Sequence, residues 1–146
     1  DSFLTLRGLR TLDARLRAHQ ENANAIAALL DTHPAVSKVY FPGLPLHPGH
    51  AVAARQQKGF GAMLSLELEG GEEAVRAFVD GLRYFTLAES LGGVESLVAH
   101  PASMTHGLLR LSVGIDSTED LLADLNAALF RAEAVVLESK RKLADA

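Results

Sequence analysis

Apolar positions define the first element. Over residues 2–31, Leu4, Leu9, Leu12, Leu16, Ala23, Ile26, Leu29 and Leu30 recur mostly at three- and four-residue steps, with Arg and Gln between them. That repeat gives a helix one apolar face, so the pattern predicts one long helix, capped by Ser2 and stopped at Pro34. Gly8 inside it costs about 1 kcal/mol against alanine, so it marks either a close packing contact or a kink. The clearest strand is "GAMLSLELEG", 61–70. There Met63, Ser65, Glu67 and Glu69 alternate with Leu64, Leu66 and Leu68, the period of a half-buried strand.

The remaining elements are shorter. "AVSKVYF", 35–41, places Val36, Val39 and Phe41 as a strand would. "PGLPLHPGH", 42–50, holds three prolines and two glycines and reads as a loop. "AVAARQQ", 51–57, reads as a short helix, and "GEEAVRAFVDGL", 71–82, as an amphipathic helix whose leading acids suit its dipole. Short strands are predicted near 84–88, 96–99 and 109–113. A last helix runs from the capping sequence "STED", 117–120, to about residue 143. Several links between strands are too short for helical crossovers, so the predicted fold is α+β: a mostly antiparallel sheet with helices packed against one face.

Bulk properties narrow the function. A chain of 146 residues is normally one domain, burying roughly 68–70% of its unfolded surface. A hydrophobic fraction of 48% with 22% charged residues is that of an ordinary globular protein. The net charge of −4 gives no electrostatic reason to bind nucleic acid or an anionic membrane. No apolar run approaches the ~20 residues of a membrane helix. Cysteine is absent, which removes disulfides and thiolate chemistry and suits a reducing compartment. The opening "DSFLTLRGLRTLDARLR" scatters its basic residues and is no secretory signal. It reads as a helix already under way, as expected of a fragment or a processed chain.

Few residue clusters carry chemistry. The six histidines include His47 and His50 in a Pro/Gly loop and His100 and His106 around "PASMT". None has the companion acids or ligand spacing of a metal shell, so no metal is assigned. "KGFGAM", 58–63, leads its glycines into a strand rather than a helix, which argues against a phosphate cradle. Arg110, in "LLRLSVG", is a cation inside an apolar strand. Burying a guanidinium alone is very costly, so it either pairs with an acid of the protein or awaits an anionic ligand of planar, bidentate geometry. Glu89 and Ser90 share one Gly-rich bend in "TLAESLGGVESL", 86–97. They are either a surface glutamate with a turn serine or two groups turned toward one cavity. No G-x-S-x-G surrounds Ser90, so a serine hydrolase is excluded.

The segments "LRGLRTLDARLRAHQENA", "RQQKGFGAMLS", "FTLAESLGGVESLVAHPASMTH" and "LLRLSVGI" resemble, in order and over nearly the whole chain, the C-terminal domain of the pyridoxal-phosphate-dependent transsulfuration enzymes. These are the cystathionine γ-synthase, cystathionine γ-lyase and methionine γ-lyase family, with the aspartate-aminotransferase-like fold (fold type I). The resemblance implies that residues 1–146 form the small C-terminal, substrate-binding domain. It implies that Ser90 and Arg110 bind the α-carboxylate of an amino-acid substrate, and that Glu89 faces the substrate's distal end. The intact enzyme would use pyridoxal 5'-phosphate to cleave or form C–S bonds on amino acids such as cystathionine or an activated homoserine. It would be cytoplasmic and homotetrameric.

Two features depart from the family. Its Schiff-base lysine lies upstream in a Ser-x-x-Lys setting, which none of Lys38, Lys58, Lys140 and Lys142 matches. The chain is therefore expected to hold no catalytic residue, no covalent cofactor and no activity alone. Relatives also carry more residues between "SMTH" and "LLRLS", where His106 here joins Leu108 through Gly107. The alternative reading is a non-catalytic, stand-alone domain for oligomerisation or amino-acid binding.

Overall fold

The computed structural model describes residues 1–100 and 107–145. In chain order the elements are α1 (Ser2–Leu9), α2 (Leu12–Asp31), β1 (Val36–Tyr40), α3 (His50–Gln56), β2 (Met63–Leu68) and α4 (Gly71–Val79), followed by β3 (Phe85–Leu87), β4 (Ser96–Ala99), β5 (Leu108–Ser112) and α5 (Thr118–Ala144). The strands form one sheet in the order β1-β2-β5-β4-β3. Three of its pairings are antiparallel and β3–β4 is parallel, so the expected α+β fold with a mostly antiparallel sheet is present.

The single N-terminal helix predicted from the apolar repeat is in fact two. The chain breaks at Arg10–Thr11, and the carbonyl of Gly8 accepts from Thr11 N at 3.3 Å and from Arg15 Nη2 at 2.8 Å. A side chain thus takes a carbonyl that a continuing helix would have bonded internally. No residue of α1 is buried, so packing does not oppose the break; Gly8 marks a kink. Ser2 lies inside α1, and Asp1 occupies the N-cap without a side-chain bond. At the other end of the chain the predicted cap is present: Ser117 Oγ accepts from Asp120 N.

One side of the sheet carries the core. The alternation read in β2 is realised, with Leu64, Leu66 and Leu68 buried and Met63, Ser65 and Glu67 half-buried. Leu109 and Leu111 of β5 and Val98 of β4 join the same cluster. Ile26 and Leu30 of α2, Val75 and Phe78 of α4, and Leu121, Leu125 and Leu129 of α5 complete it. Side chains of alternate residues must then lie on the opposite face, which Arg110 shares with its register partners Ser65 and Ala99.

Polar side chains lock the helices to the strand ends. Asn22 Nδ2 donates to the carbonyls of Gly114 and Asp116, and His19 Nδ1 donates to Val113 O at 2.6 Å. Asp124, buried in α5, accepts from the backbone N–H groups of Arg83, Tyr84 and Phe85 at 2.9–3.3 Å. That carboxylate fixes where β3 begins. Its removal strands several backbone donors, and each one left buried and unpaired costs ~1–3 kcal/mol. Asp124→Ala is expected to destabilise the fold by about 3 kcal/mol, measured as a lower urea midpoint at unchanged slope.

Candidate carboxylate-binding cleft

The bend containing Glu89 and Ser90 exists because β3 and β4 are parallel neighbours. Phe85 pairs with Ser96, so the chain leaving β3 must run back along the strands before β4 starts. Parallel neighbours usually need a crossover of a dozen or more residues, commonly helical. Here residues 88–95 make the return with no helix. Gly92, with φ of +76°, allows the reversal, since a left-handed backbone disfavours residues bearing a Cβ. Gly114, at the end of β5, lets the returning chain pass closely: a Cβ there would collide with the backbone of Val94–Ser96.

Strand β5 holds this bend. Arg110 Nη2 donates to Glu89 O at 2.5 Å and to Ser90 O at 3.4 Å. Ser112 Oγ accepts from Gly92 N at 3.0 Å, and Ile115 N donates to Val94 O at 2.9 Å. Ser96 Oγ donates to Asp116 Oδ2 at 2.7 Å and accepts from Gly114 N at 2.9 Å.

Arg110 resolves the alternative posed by the sequence in part. It is half-buried rather than enclosed, because its strand has one face open. Among the described residues no carboxylate pairs with it; the ion pairs present are Arg17–Asp13, Arg76–Glu72, Arg141–Asp145 and Lys142–Glu138. Glu67 follows Ser65 on the same face, but its Oε1 accepts from Tyr40 Oη. The guanidinium therefore has backbone carbonyls as partners, and its buried Nε has none.

Glu89, Ala99, His100 and Arg110 line a cleft of about 280 Å³. The structure thus brings Glu89 and Arg110 together. Ser90 is joined to Arg110 through its carbonyl, while its side chain is exposed. His100 was not singled out for this site by the sequence, yet its buried Nε2 also lacks a partner. Ser112 was missed too, although strand alternation from Arg110 places it on the same face. The other predicted candidates lie elsewhere. His50 Nδ1 donates to Pro42 O and its ring stacks on Phe60, and His47 Nδ1 accepts from Gly49 N. No group of three metal-ligating side chains gathers among the described residues, and His106 lies outside them. Gly59 and Gly61 lead into β2, where Gly61 N donates to Gln20 Oε1.

Comparison with known proteins gives the chain's family. The model of the family described as "Cys/Met metabolism PLP-dependent enzyme" matches residues 1–130. Cystathionine gamma-synthase of Escherichia coli (strain K12) is 56% identical over 140 residues, covering 86% of this chain and 36% of that protein. Cystathionine beta-lyase of Lactococcus lactis subsp. cremoris (strain MG1363) is 53% identical over 144 residues, covering 88% and 38%. The crystal structure of cystathionine gamma synthase from Xanthomonas oryzae pv. oryzae in complex with aminoacrylate and cysteine superposes with a TM-score of 0.89 at 74% identity, covering 92% of this chain and 39% of that one. The chain therefore spans a little over a third of the length of these relatives. An alignment of 140 positions that takes in only 86% of this chain also means that the E. coli protein has residues without a counterpart here. On the family match and these identities together, the chain belongs to the PLP-dependent enzymes of Cys/Met metabolism.

Proposed function

We propose that residues 1–146 are the C-terminal, substrate-binding domain of a transsulfuration enzyme, and that Arg110 with Ser90 clamps the α-carboxylate of an amino acid such as cystathionine or an activated homoserine. One observation carries the reading. The only partners of the Arg110 guanidinium among the described residues are neutral carbonyls, and it lines a cleft that can admit an anion. A carboxylate is the group that best offsets a partly desolvated guanidinium, each charged hydrogen bond contributing ~1.5–3 kcal/mol. Nη2 is committed to the bend, which leaves the Nη1 donors for the ligand. The guanidinium that would receive the carboxylate thus also holds Ser90 and Glu89 beside it.

Glu89 lines the cleft with Arg110 and gives it a second, opposite charge. We read Glu89 as facing the distal part of the substrate, where it attracts a distal ammonium such as that of cystathionine. Relatives named as gamma-synthase and beta-lyase match at similar identity. The half of the site in this chain therefore serves either activity.

Pyridoxal phosphate, when bound, supplies an electron sink for charge developing beside the substrate's amino nitrogen. The described residues do not fit its covalent seat. Among the described residues no lysine lines the cleft; Lys38 lies over the Tyr40 ring and Lys142 pairs with Glu138. In this reading the cofactor is held by the rest of the enzyme, and this chain's residues orient the substrate toward it. The resemblance supports a cytoplasmic homotetramer. No helix of the described residues is long and apolar enough to cross a membrane.

In the full-length enzyme, Arg110→Ala is expected to raise KM for every amino-acid substrate about 10- to 100-fold, the loss of one or two charged hydrogen bonds. An unchanged KM in steady-state assays would show the clamp to be wrong. Glu89→Ala is expected to act differently, shifting the ratio of kcat/KM between cystathionine and substrates that lack a distal ammonium. The 146-residue chain alone, supplied with pyridoxal phosphate, is expected to consume no cystathionine.

A further inference from the structure

The clamp requires Ser90 to stay at a fixed distance from Arg110, yet both ends of the bend are tied to β5 by bonds that leave its middle unaccounted for. Arg110 holds the carbonyls of Glu89 and Ser90, and Ile115 N and Gly114 N hold Val94 O and Ser96 Oγ. Between those anchors lies Gly92, whose amide donates to Ser112 Oγ at 3.0 Å. Ser112 is 2% exposed and lies two residues beyond Arg110, on the same face of β5. Its hydroxyl stands where a strand side chain would otherwise be apolar or solvated.

We propose that Ser112 is a positioning residue for the substrate carboxylate. By holding Gly92, it sets where Ser90 stands against the Arg110 guanidinium, without touching substrate itself. The proposal rests on the reading of Arg110 and Ser90 as the clamp. Alanine at 112 preserves the apolar packing but leaves the Gly92 N–H without its acceptor. The bend, reversed at a left-handed glycine, then loses its central tether, and a displacement near 1 Å in such a site can cost up to ~100-fold. Threonine keeps the hydroxyl, and Ser112 borders a cavity of about 100 Å³ with Leu12, Leu16 and Met63.

The test uses the full-length, cofactor-loaded enzyme, with cystathionine kinetics and native-state hydrogen exchange measured on wild type, Ser112→Ala, Ser112→Thr and Arg110→Ala. Ser112→Ala is expected to raise KM about tenfold with kcat within about twofold. Exchange at Gly92 should speed up while the amides of Leu66 and Leu111 stay protected, and Ser112→Thr should restore both readouts. Wild-type KM and Gly92 protection in Ser112→Ala, beside a raised KM in Arg110→Ala, would overturn the role of Ser112 and spare the clamp. An unaffected Arg110→Ala would sink the clamp first. If Ser112→Ala does not fold, Ser112→Cys, a far weaker acceptor, replaces it, and a KM equal to that of Ser112→Thr overturns the proposal.

Discussion

The structure depends on a parallel pair of strands joined without a helix. Because β3 and β4 run the same way side by side, residues 88–95 have to double back across the open face of the sheet. Backbone groups in such a segment need partners wherever water is excluded. β5 and the turn after it supply them in sequence, through Arg110, Ser112, Gly114 and Ile115. One strand acts as a ruler along which the bend is laid, and Arg110 is the first mark on it.

That arrangement explains why a cation survives in an apolar strand. Leu109 and Leu111 spend the core-facing positions of β5, which leaves Arg110 to the face where the bend, not a second layer of helices, provides cover. The ion pairs elsewhere are exposed i,i+4 contacts on helices, each worth little in water. Arg110 is of another kind: it is partly desolvated and solvated by carbonyl dipoles that neutralise none of its charge. A protein of net charge −4 has acids to spare, yet among the described residues none forms an ion pair with this guanidinium.

Much of the fold was legible because its signals are local. The β2 alternation, the Pro/Gly loop before α3 and the "STED" cap of α5 each express a preference within a few residues, and each appears as read. The N-terminal helix was misread because an apolar repeat reports which face can be buried, not whether anything buries it. With α1 free of core contacts, Gly8 and the Arg15 bond to its carbonyl decide the break. Ser112 escaped notice for the opposite reason: a serine in a strand has no distinctive pattern until its partner, Gly92, is known.

By itself the sequence determined most element types and the two-faced sheet, which follow from periodicity and turn chemistry, and the family, which follows from the resemblance of its motifs in order along the chain. Only the tertiary structure decided that Arg110 meets backbone carbonyls rather than an acid, that His100 joins its cleft, and that Ser112 ties down the bend. Those facts depend on strand order and register, which bring β5 against a segment some twenty residues away. No local preference encodes which distant groups will be left to satisfy one another.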